Sequence, residues 1–182
     1  MSSALYTMYK ETIVPDLKKE LGIDNVHDVP KVEKVVINVG YGRHVKNKAY
    51  IDSVESTLTA ISGQKPLHNK AKKSISNFKI REGMDIGMSV TLRGEQMYEF
   101  LYKLINLTLP RVRDFRGISI KGFDQQGNYS MGIKENIAFP EIKIESNDNI
   151  HPLQIVVATS ATDKASGVAL LKKMGFPFAD AK

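Results

Sequence analysis

Six cations and no acid occur between residues 56 and 81 of this 182-residue chain. The other 20 of its 26 Lys and Arg residues balance its 20 Asp and Glu residues, so the whole net charge of +6 arises in this basic window. A local block of one sign is typical of a surface that binds a polyanion, and an ordinary solvated loop is the alternative. The six cations are Lys65, Lys70, Lys72, Lys73, Lys79 and Arg81.

The basic window also contains side chains that suit RNA. Ser74 and Asn77 can form hydrogen bonds with phosphate or ribose, while the cations neutralise phosphates. Phe78 could stack on an exposed base or sugar, or it could anchor the loop in the protein's own core, and both interpretations stay open. A membrane surface would attract the same charges, but no amphipathic helix accompanies them, which favours RNA.

A second group of cations surrounds Asp114. Because the acid stands among Arg111, Arg113 and Arg116, we expect part of this group to form an internal ion-pair network. The planar guanidinium suits such fixed contacts better than an ammonium does. The pattern therefore favours an architectural role over primary RNA contact.

The residues that enzymes use are scattered. Gly40-Tyr41-Gly42 has the start of a dinucleotide-binding turn, but Val45 stands where the third glycine belongs, so a plain turn is favoured. The carboxylates of Glu95 and Glu99 fit a solvated helix face. The chain contains no Cys, and its histidines lie too far apart in sequence for a metal site. We therefore predict no enzyme activity, no cofactor and no metal; the histidines are His27, His44, His68 and His151.

Apolar periodicity predicts the elements that must position the basic window. Helices are expected over 2–22, 48–62, 94–109 and 163–174, and strands over 31–39, 86–93 and 153–159. Residues 111–150 show little periodicity, and no apolar run approaches the ~20 residues that span a bilayer. The pattern predicts a single α+β domain over 1–182, mainly an antiparallel sheet with helices on one face and the other face open. Candidates for the open face are Lys34, Asn38, Ser89, Thr91, Arg93 and Gln154.

Several segments resemble the family of large-subunit ribosomal proteins that bind 5S rRNA, in its bacterial-type form. The similarity runs in order over nearly the whole chain. It departs from the family at the tail, residues 179–182, and at Lys164 and Ser166, which replace common acids. The segments that carry it are Ile61-Ser62-Gly63-Gln64-Lys65-Pro66, residues 70–83, Val90-Thr91-Leu92-Arg93-Gly94, residues 110–117, Gly127-Asn128-Tyr129-Ser130-Met131-Gly132, Phe139-Pro140-Glu141 and Gly175-Phe176-Pro177-Phe178.

The resemblance implies a structural, ribosome-bound protein of the cytoplasm, situated in the central protuberance of the large subunit. It implies that Asn38, Gln64 and Thr91 form hydrogen bonds with 5S rRNA, and we predict that Lys65 and Arg93 also bind rRNA. Part of residues 111–150 would face a small-subunit protein across an intersubunit bridge, and large-subunit rRNA and neighbouring large-subunit proteins are further partners. The basic loop would approach peptidyl-site tRNA with Lys70, Lys72, Lys73, Ser74, Asn77, Phe78, Lys79 and Arg81. A free RNA-binding module and a nucleotide-dependent enzyme built on Gly40–Gly42 are the alternatives.

Overall fold

The computed structural model describes residues 3–142 and 150–179. These residues divide into two compact units, each assembled from segments distant in sequence. The chain passes from one unit to the other within strands rather than within loops. The first unit comprises Met1–Val35, Leu92–Met131 and Val156–Lys182, and the second comprises Val36–Thr91 and Gly132–Ile155.

Five strands form one antiparallel sheet in the order β2-β3-β1-β5-β4. The α+β class predicted from the sequence is confirmed, and the three predicted strands form with ends shifted by at most one residue. Between 111 and 150 the sequence did not single out β4, a short strand with a glycine inside it, which weakens any strand signal. The strands are β1 (Val32–Gly40), β2 (Leu67–Lys70), β3 (Asp85–Leu92), β4 (Tyr129–Ile133) and β5 (Leu153–Thr159).

Burial alternates along β1 as the sequence predicted. Val35, Ile37 and Val39 are buried, whereas Lys34 and Asn38 are only partly buried. Successive side chains of a strand point to opposite faces, so β1 is packed on one face and accessible on the other.

Four helical segments accompany the sheet within the described residues, and the predicted helix over 48–62 has the bounds that the sequence indicated. Gly22 and Gly63 follow the first and second helices with left-handed φ angles of 64° and 68°, as the predicted glycine ends require. The segments are α1 (Ala4–Met8, a π-helical turn Tyr9–Ile13, then Val14–Leu21), α2 (Lys48–Ser62), α3 (Gly94–Lys103, a π-helical turn Leu104–Thr108, then Leu109–Arg111) and α4 (Lys164–Lys173).

Two of these helices contain a proline that is separated by one residue from a preceding π-helical turn. Pro15 was predicted to kink α1 or start its second half, and it is the second residue of the second α-helical piece, which begins at Val14. Pro110 was predicted to end α3, which is wrong, because the helix continues to Arg111. The π turns widen the helix just before each proline, so the ring and the missing N–H fall at the start of a new α-helical piece.

The first unit packs α1 against α3 through tyrosines. The Tyr98 ring centroid lies 5.0 Å from that of Tyr6 and 6.2 Å from that of Tyr9. The Tyr9 hydroxyl donates to the Pro30 carbonyl at 3.1 Å, and burial, with a smaller contribution from Tyr6, raises the pKa of Tyr9 to about 12. Ser3 stands at the start of α1 without a side-chain capping hydrogen bond, so the predicted serine cap does not form there, and Ser2 lies outside the described residues.

The first unit also contains a hairpin before β4. Asp124 accepts hydrogen bonds from the N–H groups of Gln126 and Asn128, and the Asn128 side chain in turn accepts from the N–H of Thr159. The last of these bonds joins residues about thirty positions apart, which explains why periodicity did not reveal the hairpin. The turn of this hairpin is therefore tied to β5 by specific polar contacts.

Candidate nucleic-acid interface

The second unit exposes a row of short polar side chains on the accessible face of its strands. Asn38 of β1 is partly buried, and Thr91 of β3 and Gln154 of β5 are exposed. The Asn38 side-chain amide donates to Gln154 Oε1 at 3.5 Å, the outer limit of a hydrogen bond. A bond this long is easily exchanged for one with a ligand, so Asn38 and Gln154 offer donors and acceptors at a fixed position.

The edge strand β2 extends this face with Leu67 and Asn69, which the sequence did not single out, beside the predicted open-face residue Ser89 of β3. Leu67 of β2 pairs with Ser89 of β3, and opposed residues in an antiparallel pair share one face. Ser89 donates to Asn69 Oδ1 at 3.2 Å, while the Leu67 side chain is 70% exposed. An apolar residue after Pro66 would ordinarily be assigned to a core, and no sequence signal distinguished Leu67 from one.

Gln64 and Lys65 follow the end of α2, and both are exposed. Lys65 Nζ lies 3.4 Å from Glu55 Oε1 on α2, so this cation has an acidic partner within the protein. Glu55 Oε2 lies 3.6 Å from His68 Nε2, and the other ring nitrogen of His68 lies 3.3 Å from the Tyr41 hydroxyl. Although the basic window contains no acid, the fold places Glu55, the residue just before it, against Lys65 and His68.

The buried residue Tyr41 completes this chain of contacts through its hydroxyl group. Burial, followed by the charges of Asp85 and Glu55, raises the pKa of Tyr41. The Tyr41 hydroxyl therefore keeps its proton, and the ring itself is buried. The contacts of His68 with Tyr41 and Glu55 fix the position of β2, which follows Gln64 and Lys65 in the chain.

Residues 70–84 form a basic hairpin between β2 and β3. Its base is closed by the Ala71 N–H, which donates to the Met84 carbonyl at 2.8 Å. Further out, Ile75 and Ile80 exchange two backbone hydrogen bonds of 2.9 and 3.2 Å around a tip at residues 76–79. The loop predicted from charge alone is thus a hydrogen-bonded hairpin that projects its cations from a defined backbone.

The hairpin cations face solvent. Lys70, Lys72, Lys73, Lys79 and Arg81 are exposed, and none forms an ion pair with another residue that the structure describes. Their charges are therefore available to a polyanion without an internal pair being broken.

Three other predicted contact residues of the hairpin differ in what they can do. Phe78 is 69% exposed, which decides against the alternative that it anchors the loop in the core. Asn77 is exposed beside it at the tip. The Ser74 hydroxyl oxygen accepts from the Glu82 N–H at 2.9 Å, so it braces the hairpin and keeps only its proton for a ligand.

Not every predicted site residue lies in the second unit. Arg93 and Lys34 belong to the first unit, where Arg93 is exposed at the residue before α3 and Lys34 is partly buried. The other open-face candidates and all of the basic hairpin lie in the second unit.

The prediction of an internal ion-pair network around Asp114 is wrong. The three arginines beside it are not buried, and within residues 3–142 and 150–179 none of them pairs with Asp114 or with any other acid. Asp114 has a left-handed φ of 52°, which turns the chain between Arg113 and Arg116 and leaves the guanidinium groups in solvent.

The described part of the chain contains no group of three or more His, Asp or Glu residues that could hold a metal ion. The helices found in those same residues are too short or too polar to span a bilayer. Gly40 ends β1 and Gly42 begins a short 3₁₀ turn, so this pair forms the plain turn that the sequence favoured.

Comparison with known families decides what kind of protein carries this surface. Residues 25–81 match the family model described as Ribosomal protein L5, and residues 85–178 match the one described as the ribosomal L5P family C-terminus. The chain belongs to the ribosomal protein L5 family. The resemblance found in the sequence is thereby confirmed, and the alternatives of a free RNA module and a nucleotide-dependent enzyme lose their support.

Relatives of the L5 family align with almost the entire chain. The large ribosomal subunit protein uL5 of Halothermothrix orenii is 54% identical over 176 residues, which are 97% of this chain and 98% of the relative. The protein of the same name from Microcystis aeruginosa is 52% identical over 178 residues, 98% of this chain and 99% of the relative. This L5 family member is a structural ribosomal protein of the large subunit, not an enzyme, and is ribosome-bound in the cytoplasm.

Proposed function

We propose that this protein binds 5S rRNA through the polar face of its second unit and helps anchor it in the central protuberance of the large subunit. The observation that supports the proposal is the row of short polar side chains, Asn38 and Thr91 among them, on strands whose alternate residues are buried. Side chains fixed on a rigid strand lose little conformational entropy when they dock on a folded RNA.

The proposed rRNA contacts are of three chemical kinds. Asn38 and Gln64 offer amides that can both donate and accept, and Thr91 offers a hydroxyl. Lys65 and Arg93 are exposed cations suited to phosphates. Recognition by such groups follows RNA shape and 2′-hydroxyls more than base sequence.

The basic hairpin has a different proposed partner, peptidyl-site tRNA. Its five unpaired cations, Lys70, Lys72, Lys73, Lys79 and Arg81, can attract phosphates without fixed geometry. Phe78 and Asn77 at the tip are placed to touch a base or a ribose, and Ser74 braces the backbone. Large-subunit rRNA and neighbouring large-subunit proteins are further proposed partners, and part of residues 111–150 is proposed to face a small-subunit protein.

The 5S proposal is tested by the triple variant Asn38→Ala, Gln64→Ala, Thr91→Ala in a filter or gel assay with purified 5S rRNA. We expect affinity to fall at least tenfold, since about 1 kcal/mol is lost for each hydrogen bond removed. The matched control changes three exposed polar residues of the first unit, Thr12, Gln96 and Gln125, to Ala and should bind normally. Equal affinity for the site variant and the control would remove these three residues from the site.

The tRNA proposal needs a variant that separates two RNA partners. Lys70, Lys72, Lys73 and Lys79 are changed together to Gln, and 5S rRNA binding is compared with tRNA binding to the peptidyl site of reconstituted ribosomes. We expect 5S binding to stay within about threefold and tRNA binding to weaken, because the hairpin cations serve tRNA. The control neutralises the exposed Lys19, Lys31, Lys164 and Lys172. Equal damage to both activities would contradict the division of labour.

A further inference from the structure

The connection from β1 to α2, residues 41–48 and here called the β1–α2 loop, carries a second patch of cations on the second unit. Residues 34–51 contain no acid, and Arg43, Lys46 and Lys48 stand within them. All three cations are exposed, and none forms an ion pair with another residue that the structure describes. The loop therefore presents three positive charges outside the basic window.

Backbone hydrogen bonds fix the β1–α2 loop at both ends. The N–H of the buried Tyr41 donates to the Ile86 carbonyl of β3 at 3.0 Å. The His44 N–H donates to the Tyr41 carbonyl at 2.8 Å, and the Asn47 N–H donates to the His44 carbonyl at 2.9 Å. Asn47 then caps α2, because its side-chain oxygen accepts from the Tyr50 N–H at 3.2 Å. The loop is thus attached to the sheet at its start and to the helix at its end.

Ring contacts brace the same loop. The ring centroid of the exposed His44 lies 4.5 Å from that of Tyr50, with the two planes inclined by 35°. The Tyr50 ring in turn meets the buried His151 ring edge-on, at 6.3 Å between centroids. A loop held by backbone bonds and by rings loses little conformational entropy when its side chains bind a partner.

The β1–α2 loop lies at one end of the polar face of the second unit. It begins at Tyr41, three residues after Asn38 on β1. Because a strand rises about 3.3 Å per residue, the two backbone positions are roughly 10 Å apart. This distance is short compared with a folded RNA, so one RNA can contact Asn38 and the loop together.

The polar face gains unpaired cations from this loop. Of the two cations already proposed to meet rRNA, Lys65 stands beside Glu55, and Arg93 belongs to the first unit. Hydrogen-bonding side chains position an RNA, but neutralisation of its phosphates supplies much of the affinity. The β1–α2 loop offers that neutralisation within the unit that carries the face, without an internal ion pair being broken.

We propose that the β1–α2 loop is a phosphate-binding site for 5S rRNA, in which Arg43, Lys46 and Lys48 neutralise backbone phosphates beside the polar face. The inference rests on the proposed 5S binding and adds the groups that supply its electrostatic part. The Arg43 guanidinium can bind a phosphate bidentately, and the two lysines act as point charges. Peptidyl-site tRNA fits less well, because its proposed contacts reach the tip of the basic hairpin, whereas the loop is bonded to β3 at the sheet.

The test compares the wild type with the variant Arg43→Gln, Lys46→Gln, Lys48→Gln in binding to purified 5S rRNA over a range of salt concentrations. We expect affinity at low salt to fall about tenfold or more. The slope of log affinity against log salt should become shallower by about 2 to 3, since each phosphate that is no longer neutralised removes roughly 0.9 from it. The variant Lys46→Arg, Lys48→Arg keeps the charge and should bind as the wild type does.

Two comparison variants make the result specific. Neutralising Lys19, Lys164 and Lys172 removes three exposed charges of the first unit and should cost less affinity than the loop change. The triple Ala variant of the polar face removes no charge, so it should weaken 5S binding with an unchanged salt slope. The two kinds of loss are thereby separated in one assay.

The same assay distinguishes failure of the site from failure of the proposed function. If the polar-face variant weakens binding but the loop variant matches the lysine control, the phosphate site is overturned and the 5S face stands. If neither variant weakens binding, the 5S face fails as well. Unchanged 5S affinity of the loop variant, with weaker tRNA binding to the peptidyl site of reconstituted ribosomes, would also overturn the site and assign the loop to tRNA.

Discussion

Glu55 Oε1 lies 3.4 Å from Lys65 Nζ, so an acidic side chain stands beside a cation that we propose to bind rRNA phosphate. Lys65 is 80% exposed, and a solvated ion pair of this kind contributes less than about 1 kcal/mol to stability. The pair therefore matters more for the charge of the surface than for the fold.

We predict that Glu55→Gln strengthens 5S rRNA binding about two- to fivefold at low salt. The substitution releases Lys65 and removes a negative charge that repels phosphate, an effect of about 1 kcal/mol at contact distance in water. The gain should shrink as salt screens the charges, which a titration at several ionic strengths measures. Glu99→Gln, an exposed change on α3, is the control and should have no such effect. Weaker binding by Glu55→Gln alone would instead mean that Glu55 positions Lys65.

A second prediction concerns the close approach of Gly127 and Gly167 in the first unit. A Cβ on Gly167 would lie 2.5 Å from the Gly127 carbonyl oxygen and 2.7 Å from its Cα, both rigid backbone atoms. Ala in a helix is better than Gly by up to about 1 kcal/mol, but this clash outweighs the gain. Gly167→Ala should therefore lower the free energy of unfolding by about 1–3 kcal/mol, measured by chemical denaturation.

The control for Gly167→Ala is Gly132→Ala. A Cβ at Gly132 meets no atom within 4 Å, and its φ is not in the left-handed region. This variant should be as stable as the wild type or slightly more so. If both variants unfold alike, the close approach of Gly127 and Gly167 does not limit stability.

Much of the fold was predictable because it rests on local patterns. The apolar spacing of Val54, Leu58 and Ile61, followed by Gly63, indicated the bounds of α2. Alternation indicated β1, β3 and β5 for the same reason, since a one-sided strand shows its buried face in its own sequence.

The remainder of the fold depends on distant partners. The hairpin before β4 relies on the bond between Asn128 and Thr159, and no period within residues 111–150 encodes it. The π-helical turn before Pro110 likewise allowed α3 to pass a residue that ordinarily ends a helix. The proline alone indicated a helix end at Pro110, but the widened π-helical turn before it lets the helix continue to Arg111.

The candidate site was predictable in its residue types but not in its surroundings. Asn38 and Thr91 were assigned to an accessible face by alternation; Thr91 is exposed, and Asn38 is partly buried. The pairing of Glu55 with Lys65 joins residues ten positions apart through the end of α2, so the sequence showed only an acid-free window. Leu67 and Phe78 look like core residues by type, and only the structure shows them in solvent.

A third prediction uses the buried hydroxyl of Tyr9, which donates to the Pro30 carbonyl. Tyr9→Phe should cost about 1 kcal/mol at neutral pH, because the carbonyl loses its donor. Burial raises the pKa of Tyr9 from 10.0 to about 12, so the folded protein favours the protonated phenol. That contribution is complete below about pH 10, the pKa in the unfolded chain, and is lost as pH rises through the folded value of about 12.

Unfolding of the wild type and Tyr9→Phe should therefore be compared between about pH 7 and pH 12. The stability difference should be constant up to about pH 10 and should then shrink. Taking the difference between the two proteins removes the titration of all other groups. A difference that grows with alkaline pH would contradict the assigned hydrogen bond.

The last prediction is that residues 1–182 unfold as one domain, although the described residues divide into two units. The division falls inside strands: β1 is shared at Val35 and Val36, and β5 at Ile155 and Val156. A strand cannot lose half of its ladder without exposing unpaired backbone groups in the other half, so the units should unfold together.

Leu58→Ala in the second unit and Leu170→Ala in the first each remove a fully buried side chain and should cost about 2–5 kcal/mol. Calorimetry should show one transition for the wild type and for both variants, shifted to a lower temperature by either substitution. Two transitions, of which each variant moves only one, would show that the units fold independently.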